Sequence, residues 1–160
     1  MTEKYSFDYF KTGKEIDERT RKGIIELHYA ADKDFIPPLS RRRQKIEDIP
    51  DLNSRFLVLK YEGRIAGVII FWDYYWKCRS AYIGNTIVSR NFRKLGFGQL
   101  LIKESVKRLR LDGIHLVKTN TWSNNMSSIN MLEKCGFTKY YTVRNARGKG
   151  IHKIWLRRSL

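Results

Sequence analysis

The chain has 160 residues, 42% of them hydrophobic and 13% aromatic, and a formal net charge of +16. That composition supports one domain with a packed core and argues against a disordered chain, and no run reaches the roughly 18 apolar residues of a membrane span. The charge is uneven: residues 1–50 hold 11 Lys/Arg against 10 Asp/Glu, whereas residues 51–160 hold 21 against 6. An excess of this kind implies a polyanionic partner, whether nucleic acid, an acidic protein or a phosphorylated small molecule. The first residues are polar and lack the apolar stretch of a signal peptide, so a cytoplasmic protein is expected. Cys78 and Cys135 read as buried, reduced thiols. His28, His115 and His152 have no metal-ligand spacing, and no metal is expected.

In chain order, residues 1–14 read as extended, with Tyr5, Phe7 and Tyr9 alternating, as an edge strand or a loose arm. A helix is expected from Ile16 to Ala31, with Ile24, Leu27, Ala30 and Ala31 inward. Pro37-Pro38 breaks the chain. The stretch from Leu39 to Ile46, with Arg41, Arg42, Arg43 and Lys45, is a short helix or loop that either touches an anion or is solvated. Strands follow at Arg55–Tyr61 and Ile65–Trp72, joined by Glu62-Gly63-Arg64 as a hairpin. The aromatic segment Trp72-Asp73-Tyr74-Tyr75-Trp76, beside Lys77 and Arg79, is either core plus a cleft wall or a base-stacking surface. A third strand covers Ser80 to Val88.

After a glycine-containing loop, Gln99 to Leu111 is an amphipathic helix. Its apolar line is Phe97, Leu100/Leu101, Val106 and Leu109, with Ser105 off it. Asp112-Gly113 ends it. A strand at Ile114–Thr121 and a capping loop Trp122-Ser123-Asn124-Asn125 follow. Met126, Ile129, Leu132 and Cys135 mark a short helix that stops at Gly136. The last hairpin comprises Phe137–Val143 and Ile151–Leu156. The strand-helix-strand unit predicts two parallel neighbours within an otherwise antiparallel sheet.

The loop itself carries the chemistry. Thr86 to Val88 end a strand, Arg90, Arg93 and Lys94 supply charge, and Gly96 and Gly98 precede a helix. A helix start has unpaired N–H groups and a partial positive charge, which suits phosphate. The pattern is neither a Walker A loop, which needs a Gly-Lys-Ser/Thr ending, nor a dinucleotide fingerprint, which needs a third glycine where Leu101 stands. Arg147-Gly148-Lys149-Gly150 looks similar by letters but lies in the terminal hairpin with no helix behind it.

What remains, Arg93-x-x-Gly96-x-Gly98 between strand and helix, resembles the signature of the GNAT superfamily of acyl-CoA-dependent N-acetyltransferases. The second half agrees: Asn125 is followed by Gly136-Phe137 at the family spacing. The resemblance covers about 55–160 and is loose over 1–54. It implies an α/β single-domain fold over 1–160, with a mixed, mostly antiparallel sheet, one parallel strand pair and flanking helices. Residues 1–54 would be a variable helical part and 55–160 the acyl-CoA-binding core. It also implies acetyl-CoA as co-substrate. The backbone of Thr86, Ile87 and Val88 would hold the pantetheine arm. Arg93, Lys94, Leu95, Gly96, Phe97, Gly98 and Gln99 would cradle the pyrophosphate, with the side chains at 94, 95 and 97 free to vary. Asn125 would touch the far side of the cofactor. Arg90 stands where many members have proline.

Acyl transfer needs a neutral amine, a polarised thioester carbonyl and a proton for the thiolate. The Val88 amide suits the carbonyl. The chain departs from the family where a carboxylate or tyrosine usually acts: Tyr82 replaces a common glutamate, Asn120 a base, and Leu132 a tyrosine. Tyr82, Asn120 and Tyr140 are therefore the candidate catalytic residues, Tyr82 as a proton relay through water and Asn120 as a water-orienting group. Asp73 is a candidate to attract a cationic amine. The expected activity is acetyl transfer to an amine of an unidentified small molecule or protein. The alternatives are a non-catalytic acyl-CoA-binding regulator and a basic RNA- or ribosome-associated protein. A homodimer is compatible, and no membrane partner is expected.

Overall fold

The computed structural model describes residues 4–35, 38–41, 43–74 and 78–160. Of the sequence expectations, the break at Pro37, the role of Arg42 and the aromatic run Tyr75-Trp76-Lys77 lie outside the described residues, as do the side chains of Asp73 and Tyr74. The elements are β1 (Tyr5–Phe10), α1 (Glu18–Ala31), β2 (Arg55–Tyr61), β3 (Arg64–Tyr74), β4 (Ser80–Val88), α2 (Phe97–Leu111), β5 (Leu116–Trp122), α3 (Met126–Lys134), β6 (Thr138–Val143) and β7 (Lys153–Ser159). Seven strands hydrogen-bond in the order β1-β2-β3-β4-β5-β7-β6. β4 and β5 are parallel, while β1 with β2, β5 with β7 and β6 with β7 are antiparallel. The mixed sheet with one parallel pair is the one expected from the sequence.

The chain forms two compact units, Met1–Ile70 with Asn85–Leu101, and Phe71–Gly84 with Ile102–Leu160. In the first, the aromatic N-terminal segment is an edge strand, paired with β2 from Tyr5 opposite Tyr61 to Phe10 opposite Phe56. Asp17 caps α1 by accepting a 2.9 Å hydrogen bond from the Thr20 amide. The buried face of α1 is Thr20, Ile24, Leu27, His28 and Ala31. Ala30, expected inward, is exposed, and His28 takes its place. The His28 ring can turn in because Nδ1–H donates to the Ile24 carbonyl at 2.7 Å. Burial pushes its pKa down, so the ring is neutral. β2 and β3 form the centre of this core, with Phe56, Leu57, Val58, Leu59, Val68, Ile69 and Ile70 fully buried.

In the second unit one face of β5 and β7 is buried and the other open. Val117, Thr119 and Thr121 of β5 and Ile154 and Leu156 of β7 point into the core, with the alternation of a half-buried sheet. On the helical side, Ile102, Ser105, Val106 and Leu109 of α2 and Ile129 and Leu132 of α3 are buried. The expected apolar line of α2 is thus corrected: Ser105 lies in it, at 0% exposure. Its hydroxyl is satisfied by the Ile102 carbonyl at 2.8 Å, so no buried polar group is left unpaired there. Cys135 is buried as expected, and burial raises its thiol pKa. Cys78 is exposed, contrary to expectation.

Candidate functional site

The first part of the site belongs to the first unit. β4 ends at Val88, a 3-10 turn covers Arg90–Phe92, and α2 begins at Phe97. Two turn positions have left-handed backbone angles: Lys94 has φ of 64° and Gly96 has φ of 83°. An L side chain at such an angle costs roughly 1–2 kcal/mol, and Gly96 avoids that cost. A Cβ at Gly96 would meet nothing within 4 Å, so the glycine is required by its backbone angle and not by crowding. The first intrahelical bond runs from the Leu100 amide to the Gly96 carbonyl at 3.1 Å. The amides before it belong to the open first turn of a helix, where no earlier carbonyl of that helix can take them.

Phe97 fixes this helix start. It is 6% exposed and its ring lies 5.4 Å from Tyr61 and 6.1 Å from Phe92. The expectation that its side chain is free to vary is therefore corrected. Leu95 is 59% exposed, and its neighbour Lys94 is exposed too, so packing does not hold either side chain. Gly98 sits half-buried in the first turn of α2.

Arg93 does more than contribute charge. Its Nε donates to the Val88 carbonyl at 3.1 Å and its Nη2 to Asp34 Oδ2 at 2.5 Å. Arg90 Nη2 reaches Asp34 Oδ1 at 3.3 Å. The two guanidinium groups hold the Asp34 carboxyl below the usual carboxylate range, with the hydrogen bond from Arg93 the largest cause. Asp34 had no sequence signal as a site residue, because its partners lie more than fifty positions away.

The second part belongs to the second unit. The β4–β5 ladder pairs Ser80 to Ile83 with Leu116 to Thr119. Thr119 Oγ1 closes it with a 2.9 Å bond to the Ile83 carbonyl, while β4 runs on through Thr86, Ile87 and Val88. Tyr82 and Asn120 are brought together: Asn120 Nδ2 donates to Tyr82 Oη at 2.6 Å. Trp72 stacks on Tyr82 at 5.9 Å and 23°, and the Trp155 ring lies 6.0 Å from Tyr82, tilted by 47°. Gly84 makes room for Trp72, since a Cβ there would fall 1.8 Å from the indole.

Of these, Tyr82 and Trp155 border a pocket of about 610 Å³, whose other lining residues are Cys78, Ser80, Lys118, Tyr140, Tyr141, Val143 and Lys153. β6 delivers both tyrosines through a bulge: Lys139 pairs with Leu156 and Tyr141 with Trp155, leaving Tyr140 as the extra residue. The Arg157 guanidinium lies 5.2 Å from the Tyr140 ring. Asn125 sits apart from the Tyr82–Asn120 pair in role: its side chain caps α3, accepting from the Ser128 amide at 3.2 Å. Leu132 is core at 3% exposure. The Arg147–Gly150 turn is organised by Asn145, His152 and the stacking of Arg147 on Trp122 at 4.2 Å. Lys118, Lys153 and Trp155 were missed by motif reading. Period-two spacing in β5 and β7, which places 118, 120 and 122 with 153 and 155, is the signal that marks them.

A model described as the acetyltransferase (GNAT) family matches residues 23–137. The chain belongs to the GNAT acetyltransferase family. It is 31% identical over 116 residues to a phosphinothricin N-acetyltransferase from Streptomyces viridochromogenes, a match covering 69% of this chain and 61% of that protein. The same fold occurs in a GNAT-family protein from Desulfovibrio desulfuricans, with 15% identity, TM-score 0.79 and coverage of 97% of this chain and 98% of that one. It occurs again in yncA from Salmonella typhimurium, solved with acetyl-CoA, with 17% identity, TM-score 0.78 and coverage of 98% and 94%.

Proposed function

We propose that the protein transfers the acetyl group of acetyl-CoA directly to an amine of an acceptor. The observation that carries this reading is the strand-turn-helix from Thr86 to Gln99 in a chain of this family. The turn fits a pyrophosphate by its chemistry: a left-handed Gly96, an open helix start anchored by Phe97, and flanking arginines and Lys94. The amides of Lys94 through Gln99 and the cations Arg93 and Lys94 would hold the diphosphate. The strand backbone at Thr86, Ile87 and Val88 would hold the pantetheine arm, and Asn125 would contribute from the start of α3.

Transfer forms a C–N bond and breaks the thioester C–S bond; the amine gives up a proton and the thiolate gains one. The Val88 amide would polarise the thioester carbonyl, while the Val88 carbonyl is taken by Arg93. Tyr82 would relay a proton through water, with its hydroxyl oriented by Asn120. Tyr140, lining the same pocket, is a second phenol for that task. Among the described residues no carboxylate lines the pocket, so much of the rate would come from positioning.

The remaining readings stand beside this one. No helix among the described residues is long and apolar enough to cross a membrane, and no cluster of metal-ligating side chains occurs among them. All six residues of β6 are exposed, which favours pairing with a second copy. The net charge of +16 keeps RNA or ribosome association as the rival to catalysis.

Isothermal titration with acetyl-CoA tests the first step, and binding is expected; absence of heat sinks the cofactor reading. Thiol release with a panel of amines tests transfer. Acetyl-CoA binding without thiol release by any amine would leave a non-catalytic binding protein.

A further inference from the structure

The pocket bordered by Tyr82 has an unusual electrostatic balance. Lys118 and Lys153 both line it, and among the described residues neither forms an ion pair with a carboxylate. The described acids of the helices and strands around it are engaged elsewhere: Glu104 pairs with Lys107 and Arg108, and Glu133 with Lys139. Lys153 lies over the Trp122 ring at 5.3 Å, beside Arg147 at 4.2 Å from the same ring. The remaining walls are the aromatic or apolar Tyr82, Tyr140, Tyr141, Val143 and Trp155, with the small side chains of Cys78 and Ser80.

The sheet register fixes where the charge sits. Lys118 is opposite Tyr82 on β4 and Arg157 on β7. Lys153 is opposite Trp122 and Val143. Asn120 and Trp155, which are opposite each other, lie in the row between. Residues two apart on a strand face the same way and are separated by roughly 7 Å. Each lysine is therefore one such step from the row that holds Asn120, the partner of the Tyr82 hydroxyl.

We propose that this pocket selects a small amine that also carries an anionic group, of the amino-acid class, with Lys118 and Lys153 receiving its carboxylate and the amine directed towards Tyr82 and Asn120. The inference rests on the acetyl-transfer reading and gives it an acceptor. Two ammonium groups without a carboxylate attract an anion. They also disfavour the protonated form of the incoming amine, because a like charge lowers an ammonium's pKa. That assists the one step for which the pocket has no carboxylate base. The cavity volume of about 610 Å³ suits a small molecule with an apolar side chain and not a folded partner.

The test compares L-phenylalanine and L-leucine with their carboxamides, and with putrescine, as acceptors in a thiol-release assay. The carboxylates should show a kcat/KM roughly tenfold or more above the carboxamides, the size of one charge-assisted contact. Lys118→Met and Lys153→Met should erode that preference mainly through KM, while Lys118→Arg retains it, with thermal melts confirming that each variant folds. Equal use of carboxylate and carboxamide, a preference for putrescine, or a preference untouched in both methionine variants overturns the proposal while leaving acetyl transfer intact. A second arm, calorimetric titration with N-acetyl-L-phenylalanine and its carboxamide, does not depend on turnover. Binding of the carboxylate alone, lost in the methionine variants, supports the anion site even where acetyl-CoA gives no heat. Equal binding, or no binding, of the two compounds counts against it.

Discussion

The turn after β4 and the open face of β4, β5 and β7 are both basic, yet they keep their charge differently. In the turn, Arg90 and Arg93 share the Asp34 carboxylate, and Arg93 also grips the Val88 carbonyl. On the face, Lys118 and Lys153 have no such partner among the described residues. The first arrangement sets a backbone path and neutralises part of the charge that sets it. The second leaves charge available to a ligand. A phosphate cradle is made largely of amides, so its side chains can be spent on holding the path. An acceptor pocket has to discriminate, and it does so with side chains.

The largest effect should separate anchor from turn. Phe97→Ala removes a ring that is 6% exposed and packed by Tyr61 and Phe92, and should cost about 3–5 kcal/mol in urea denaturation. Leu95→Ala, two residues earlier and 59% exposed, should cost no more than ~0.5 kcal/mol. Similar losses for the two would show that the helix start is not held by its core contact.

Glycine substitutions then probe the two regions separately. Gly96→Ala forces a side chain to φ of 83°, a strain of roughly 1–2 kcal/mol. Where that strain falls on cofactor binding, the acetyl-CoA KM rises roughly five- to thirtyfold with acceptor KM unchanged. Gly84→Ala places a methyl 1.8 Å from the Trp72 indole and displaces the ring stacked on Tyr82. Here acceptor KM should rise with acetyl-CoA KM unchanged. A shared response of both constants to either variant would erase the distinction between the regions.

The same contrast explains how much the sequence disclosed. The turn was legible because Arg93, Gly96 and Gly98 lie close together along the chain, and backbone conformation is a local property. Even so, Phe97 was misjudged, since its burial depends on Tyr61 and Phe92 from other segments. The strands and the parallel pair were legible from alternation and order. His28 turning inward in place of Ala30 was not, because the Ile24 carbonyl that accepts its proton is a feature of the folded helix. Tyr82 and Asn120 were named singly as substitutes for family residues; their 2.6 Å bond is a product of strand register. Lys118 and Lys153 stayed hidden among many basic residues, since only the register of β5 with β7 and the bulge at Tyr140 set them around one pocket.

The Tyr82–Asn120 pair gives an intermediate effect. Tyr82→Phe and Asn120→Ala should each lower kcat several-fold, and a double-mutant cycle on kcat should show a coupling of about 1 kcal/mol, the net worth of one hydrogen bond. If Tyr82 relays the proton, the phenylalanine variant loses one limb of the pH–rate profile. A profile of unchanged shape removes the relay and leaves Tyr82 as a wall of the pocket.

The smallest effect tests the turn's own ion pairs. Asp34 and its arginines are partly exposed, with side-chain exposures of 35% for Asp34, 59% for Arg90 and 42% for Arg93, so Asp34→Asn should cost at most ~1 kcal/mol at neutral pH. The sign with pH follows from the depressed carboxyl pKa. The pair's contribution is present above the unfolded aspartate pKa of about 3.9 and is lost as pH falls through the lower folded value. Denaturation midpoints of wild type and Asp34→Asn should therefore differ at pH 7 and converge in acid, and the gap should shrink in high salt. Acetyl-CoA affinity supplies the comparison with the open face. Releasing Arg90 and Arg93 adds free charge beside the turn, but if the amides and the Gly96 backbone do most of the binding, the dissociation constant should move by no more than a few-fold in either direction. A much larger change would mean that the turn, like the Lys118–Lys153 pocket, depends on the state of its side-chain charges.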